Sequence, residues 1–191
     1  MNRFYQVLLI VSSVGFCWLA MMVLHEFGHV LNAWLGGGSV MRVYLHPLAF
    51  SRTDLAVNPH PLLVAWGGAI WGCLLPLVIW ALVWLLCRPQ SYLAAFFAGF
   101  CLIANGAYLA GGSFFAHGSG DDAGAIMANG GLQWQLIAFG VPAIAAGLYV
   151  WGGLGPKFGL GPARGEVDRR GAVAMTALLL LLVAAELVLA R

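Results

Sequence analysis

The sequence predicts an all-α membrane protein of about five transmembrane helices, with a short membrane-associated β-hairpin after the first helix. Three observations carry this reading. Of the 191 residues, 62% are hydrophobic and only 8% are charged, against about 45–50% and about 25% in soluble domains. So few ionic groups cannot cover a water-facing globule, which places the chain in a bilayer. Five apolar segments each reach the roughly 20 residues that a hydrocarbon core of about 30 Å requires of a helix. Between the first and second of them, residues 38–57 replace the apolar run with β-branched, aromatic and basic residues in partial alternation, a strand pattern.

The first helix, 4–35, exceeds one span and is expected to tilt or to pass the interface. Arg3 followed by Val7 to Ala20 has the outline of a signal peptide. The apolar character nevertheless continues to Leu35 without a small-x-small site, so the segment reads as a retained helix. Gly36-Gly37-Gly38 ends it. Val40 to His46 reads as a strand broken by Pro47, with Phe50 to Val57 returning. The second and third spans, 61–87 and 91–115, are joined by a tight turn at Arg88-Pro89. Two accessory spans, 132–154 and 171–190, flank a loop at 156–170 rich in Gly, Pro and charge, expected to lead to a peripheral last helix. Glu186, near the end of that helix, is expected to reach toward the headgroups. The organisation divides at about residue 130 into a core (1–130) and the accessory helices (131–191), and no internal repeat is seen.

Glycine, at 26 residues, is about twice its usual share. Small residues let membrane helices approach closely, and Gly67, Gly68, Gly72, Gly106, Gly111 and Gly112 are read as packing positions. Cys17, Cys73, Cys87 and Cys101 lie in or beside apolar runs and match neither a disulfide framework nor a zinc cassette, so they read as small buried hydrophobes. A net charge of +2 gives no basis for a nucleic-acid partner. Arg3, Arg88, Lys157, Arg164, Arg169 and Arg170 fall on the N-terminal side, against Arg42, Arg52 and Arg191 opposite. By the positive-inside rule that count favours a cytoplasmic N-terminus.

The chemistry is concentrated in His25-Glu26-Phe27-Gly28-His29. Imidazoles spaced i, i+4 share one helix face and reach one metal ion together. Glu26 follows His25 directly and is placed to take a proton from water that zinc has acidified to a pKa of about 7. Three ionisable residues in five positions of an apolar helix are costly, at about 2.5–3.5 kcal/mol for an acidic group near the bilayer centre, which marks them as functional. Asn32 shares the His29 face and is a candidate to orient a ligand, or an ordinary helix-end polar residue. A catalytic zinc usually takes a third protein ligand. Candidates are Asp121 and Asp122 in a metal-ligand loop at 117–124, with His117 as an alternative ligand or transition-state donor. His46 and His60, beside prolines, read as interfacial loop residues.

With these residues the chain resembles the site-2 protease group of intramembrane metalloproteases, peptidase family M50, and in particular its small M50B-like branch. HEFGH is the specific element. Gly36 to Val40, the basic strand Arg42 to His46, Ala65-Trp66-Gly67-Gly68-Ala69, Asn105 and Asp122-Ala123 are looser ones, and together they cover about residues 15–128. The resemblance implies a three-helix catalytic core, zinc on His25 and His29, Glu26 as catalytic base and an aspartate as last ligand. An alanine after that aspartate favours Asp122 over Asp121. It also implies that the hairpin pairs with an unwound substrate segment. The chain departs from the family in having Asn105 far from Asp122 with no proline between them, and no inserted PDZ domain. Several members run the motif helix against the charge count above, and the orientation stays open.

The expected activity is therefore zinc-dependent hydrolysis of a peptide bond in a transmembrane or membrane-bound protein, by an integral multi-pass protein of the bacterial cell membrane. Two alternatives stand beside it: a non-proteolytic membrane metal-binding protein of the same fold, and a transporter-like helical bundle.

Overall fold

A computed structural model describes residues 2–115 and 121–189. It contains helices α1 (Asn2–Leu35), α2 (Pro61–Leu86), α3 (Ser91–Gly112), α4 (Asp122–Ala128), α5 (Gln133–Trp151) and α6 (Arg169–Leu189). Strands β1 (Ser39–Tyr44) and β2 (Arg52–Val57) lie between α1 and α2. All these helices except α4 are long and apolar enough to cross a membrane. Their outward faces carry Val7, Val11, Leu74, Val78, Leu82 and Leu181, all exposed. In water such a surface would aggregate, and in lipid it is the expected one.

Local chemistry sets the element ends. Gly37, at φ +74°, takes the left-handed conformation that closes α1. The Gly38 N–H then donates to the Ala33 carbonyl and the Gly37 N–H to that of Trp34, a Schellman cap. Pro61 opens α2, where its missing N–H costs nothing. Asp121 caps α4 by accepting the Gly124 N–H at 2.8 Å. The segment read as a metal-ligand loop is thus partly helical, and Asp122 stands in the first turn of α4 rather than in a loop. Seven residues are too few to show a helical period.

Without a hydrophobic force between helices in lipid, assembly depends on close backbone approach and hydrogen bonds. A Cβ at Gly106 would meet the Gly140 carbonyl at 2.7 Å, and one at Gly147 the Gly99 carbonyl at 2.7 Å, so α3 and α5 touch backbone to backbone. Gly28 and Gly67 bring α1 and α2 together in the same way, whereas Gly111 faces open space. Ala65, Ala69, Leu109, Ala123, Ile126 and Leu136 form the core where α2, α3, α4 and α5 meet.

Three expectations change. The 156–170 segment is folded onto the bundle: Phe158 is buried, and the Gln6 amide donates to the carbonyls of Phe158 and Gly159. α6 packs along α1 and runs parallel to it, with the Arg169 guanidinium over the Tyr5 ring and Leu179 against Gly15. The same register brings Glu186 alongside the middle of α1, where it is covered by protein. Its side chain is 1% exposed, with no hydrogen-bond partner for its carboxylate among the described residues. Cys87, unlike the three buried cysteines, is exposed and bonds Gln90 in the turn before α3.

β1 and β2 pair antiparallel, Tyr44 with Arg52 and Val43 with Thr53, with register shifts flanking Val40. Arg42 and Arg52 both lie over the Tyr44 ring. The hairpin doubles back along α1, so that Phe50 meets the ring of Trp18. Trp18 is 17 positions below Leu35, roughly 25 Å at the helical rise. The tip of the hairpin therefore lies alongside the middle of α1 rather than beyond its C-terminal end, and the strand segment lines the same cavity as α1.

Candidate metal centre

One helical turn separates His25 from His29, and their rings lie edge to face at 4.8 Å. Each Nδ1 is engaged. His29 Nδ1 donates to the Val64 carbonyl at 2.8 Å, since a carbonyl can only accept. His25 Nδ1 meets Asn105 Oδ1 at 2.7 Å, and Asn105 Nδ2 donates to the Cys101 carbonyl, which fixes the amide so that His25 is the donor. Both rings are thereby oriented with Nε2 inward, as the outer partners of metal-ligating histidines do.

Asp122 Oδ2 completes the group, 2.8 Å from His25 Nε2 and 3.3 Å from His29 Nε2. Ligand atoms of the three residues all lie within 4.8 Å of one another, and both histidines are buried. The donors of a tetrahedral site with bonds of about 2.0–2.1 Å stand about 3.3–3.4 Å apart. The His29 contact already has that spacing, and the His25 contact needs to open by a few tenths of an ångström. The donor set therefore fits a divalent cation of borderline softness, such as zinc. Burial opposes ionisation of Asp122, but hydrogen bonds from His25 and His29, with their charge, outweigh it and hold the carboxyl below the usual carboxylate range.

Room for the two imidazoles and the Asn105 amide is kept by glycine. A Cβ at Gly68 would fall on Nε2 of both His29 and His25, and one at Gly72 would meet the Asn105 amide at 2.9 Å. The glycines of α2 thus do more than let helices pack, because two of them make room for the site's own side chains.

Glu26 is 4% exposed and accepts from two hydroxyls, Ser51 Oγ on Oε1 at 2.7 Å and Thr53 Oγ1 on Oε2 at 2.6 Å. Tyr108 lays its ring on His25 at 5.7 Å, and its hydroxyl accepts the Asp122 N–H at 3.2 Å. The triad and Glu26 line a cavity of about 720 Å³, whose other walls include Trp18, Met22, Phe50, Pro61 and Ala125. This lies within the range of about 300–1,000 Å³ that ligand sites occupy.

Of the residues singled out in the sequence, His25, His29, Glu26, Asp122 and Asn105 come together. Asp121 lines the same cavity but serves as the α4 cap. Asn32 makes its hydrogen bonds away from the histidines. Its amide donates to the Leu63 carbonyl and accepts from Trp71 Nε1, tying α1 to α2. His117 lies outside the described residues. Ser51, Thr53, Tyr108 and Gly68 were not singled out for the site, although the alternation of Ser51 and Thr53 already put both hydroxyls on one strand face. Comparison of the chain with protein-family models, with curated proteins and with solved structures returns no match in any of the three.

Proposed function

We propose that the chain is an intramembrane zinc metalloprotease of the site-2 protease type, hydrolysing a peptide bond in or near the membrane of a transmembrane or membrane-bound protein. The observation that carries this is the convergence of both HExxH imidazoles with Asp122 beside a cavity that also holds Glu26. Two imidazoles and one carboxylate, with a further position open, are a ligand set of catalytic rather than structural zinc. α1, α2 and α3, with α4 attached, make the catalytic core, and α5 and α6 support it from a cell membrane.

His25, His29 and Asp122 hold the metal, and Asn105 and the Val64 carbonyl keep the two rings in the tautomer that ligation requires. Zinc bound there supplies Lewis acidity toward water and the scissile carbonyl. Glu26 takes the proton of the attacking water and returns it to the leaving amine, the work of a positioned general base and acid. Tyr108 brings a hydroxyl to the cavity wall, where oxygen develops charge. The hairpin offers strand edges for an unwound substrate segment, since a helical segment shields its own carbonyls.

Glu26→Gln tests this reading. The variant is expected to keep one zinc per chain and to lose cleavage of a transmembrane model substrate containing a helix-breaking pair. Zinc in both proteins with cleavage by neither supports a metal-binding protein that is not a protease. Absence of stoichiometric zinc supports the transporter-like bundle.

A further inference from the structure

β2 and the residue before it contribute nothing to the metal ligands, yet they make the shortest side-chain hydrogen bonds to Glu26. Ser51 and Thr53 are alternate residues on one face of the strand, and each donates to a different oxygen of the same carboxylate. A carboxylate oxygen accepts about two hydrogen bonds, so each hydroxyl leaves one acceptor direction open. The carboxylate plane is fixed while its capacity to accept a proton from water is retained. Elsewhere Met41, Leu48 and Phe50 are 71%, 91% and 82% exposed, and among the described residues the Phe50–Trp18 pair is the aromatic contact that joins the hairpin to α1. The hydrogen bonds to Glu26 are thus its principal polar attachment to the motif helix.

We propose that Ser51 and Thr53 are positioning residues that pin the hairpin to Glu26, so that docking of the hairpin and alignment of the catalytic base are one event. The proposal rests on the protease reading for its kinetic consequence. The pinning itself is independent of activity. Through it, the element that lines the substrate cavity also sets the orientation of the base, and a displaced hairpin leaves Glu26 free to rotate.

The test uses the full chain in lipid nanodiscs, comparing wild type with S51A/T53V, S51T/T53S, E26A and the triple variant S51A/T53V/E26A. Amide hydrogen exchange across residues 39–57 is expected to rise tenfold or more in S51A/T53V and in E26A, with no further rise in the triple variant, because all three break the same link. S51T/T53S keeps both hydroxyls and is expected to retain protection. On a transmembrane substrate, S51A/T53V is expected to lose more than tenfold in kcat with KM changed less than threefold and zinc content unchanged. S51T/T53S is expected to recover at least a third of wild-type kcat. Unchanged hairpin exchange in S51A/T53V, or additive effects with E26A, overturns the pinning. Wild-type kcat in S51A/T53V alongside an inactive Glu26→Gln overturns the positioning role and leaves the protease reading standing. Coupled exchange in a protein that cleaves nothing overturns the protease reading and leaves the pinning standing.

Discussion

Substituting Gly68 by alanine drives one methyl group into both imidazoles. The added Cβ would stand 2.6 Å from His25 Nε2 and closer still to His29 Nε2, far inside van der Waals contact with both. α2 cannot simply retreat, because Gly67 is in backbone contact with Gly28 one position away. The rings must therefore turn, which breaks the Nδ1 bonds to Asn105 and to Val64. Losing one such outer partner costs about 10–100-fold in metal affinity. Losing both should lower zinc affinity by at least about 100-fold, or roughly 2.7 kcal/mol. Competition with a chromophoric chelator in detergent measures this directly. Gly111→Ala serves as the control, since its Cβ meets nothing within 4 Å. Zinc affinity of Gly68→Ala within threefold of wild type would refute the placement of the metal between the two Nε2 atoms.

Other outcomes follow from the same geometry. Asn105→Leu removes the acceptor of His25 Nδ1 and should weaken zinc by about 10–100-fold while leaving one site per chain by metal analysis. Asp122→Asn should lose stoichiometric zinc, whereas Asp121→Ala should keep it and lower thermal stability by about 1 kcal/mol through loss of the α4 cap. Zinc affinity should fall as pH is lowered, because an imidazole must give up the proton on its Nε2 before it can ligate. Chelator competition between about pH 8 and pH 5 gives the slope, and a flat curve over that interval would remove His25 and His29 from the ligand set.

How far the sequence could be read depended on the distance over which each feature acts. The HEFGH motif was legible because a cluster of ionisable groups in an apolar helix has a high cost and few bland explanations. The five spans were legible from length and hydropathy, and the hairpin from its β-branched alternation. Asp122 was singled out by the need for a third ligand, but its place in a helix was not, because α4 is a single short element inside a Gly-rich stretch. The partner of His25 lies 80 residues away on α3, and no local pattern connects them. Gly67 and Gly68 were recognised as small, yet only the fold shows that Gly67 faces backbone and Gly68 faces imidazole. Glu186 was expected to reach outward from the last helix, whereas the packing of α6 along α1 buries it.

The most direct test of the account follows the scissile bond itself. Purified protein in proteoliposomes is mixed with a transmembrane substrate carrying a helix-breaking pair, and the products are mapped by mass spectrometry before chelation, after chelation and after zinc is restored. The account predicts a new terminus within or beside the membrane segment, lost with the metal and regained with zinc. Cleavage that survives metal removal, or its absence in zinc-loaded protein presented with an unwound substrate, would contradict it.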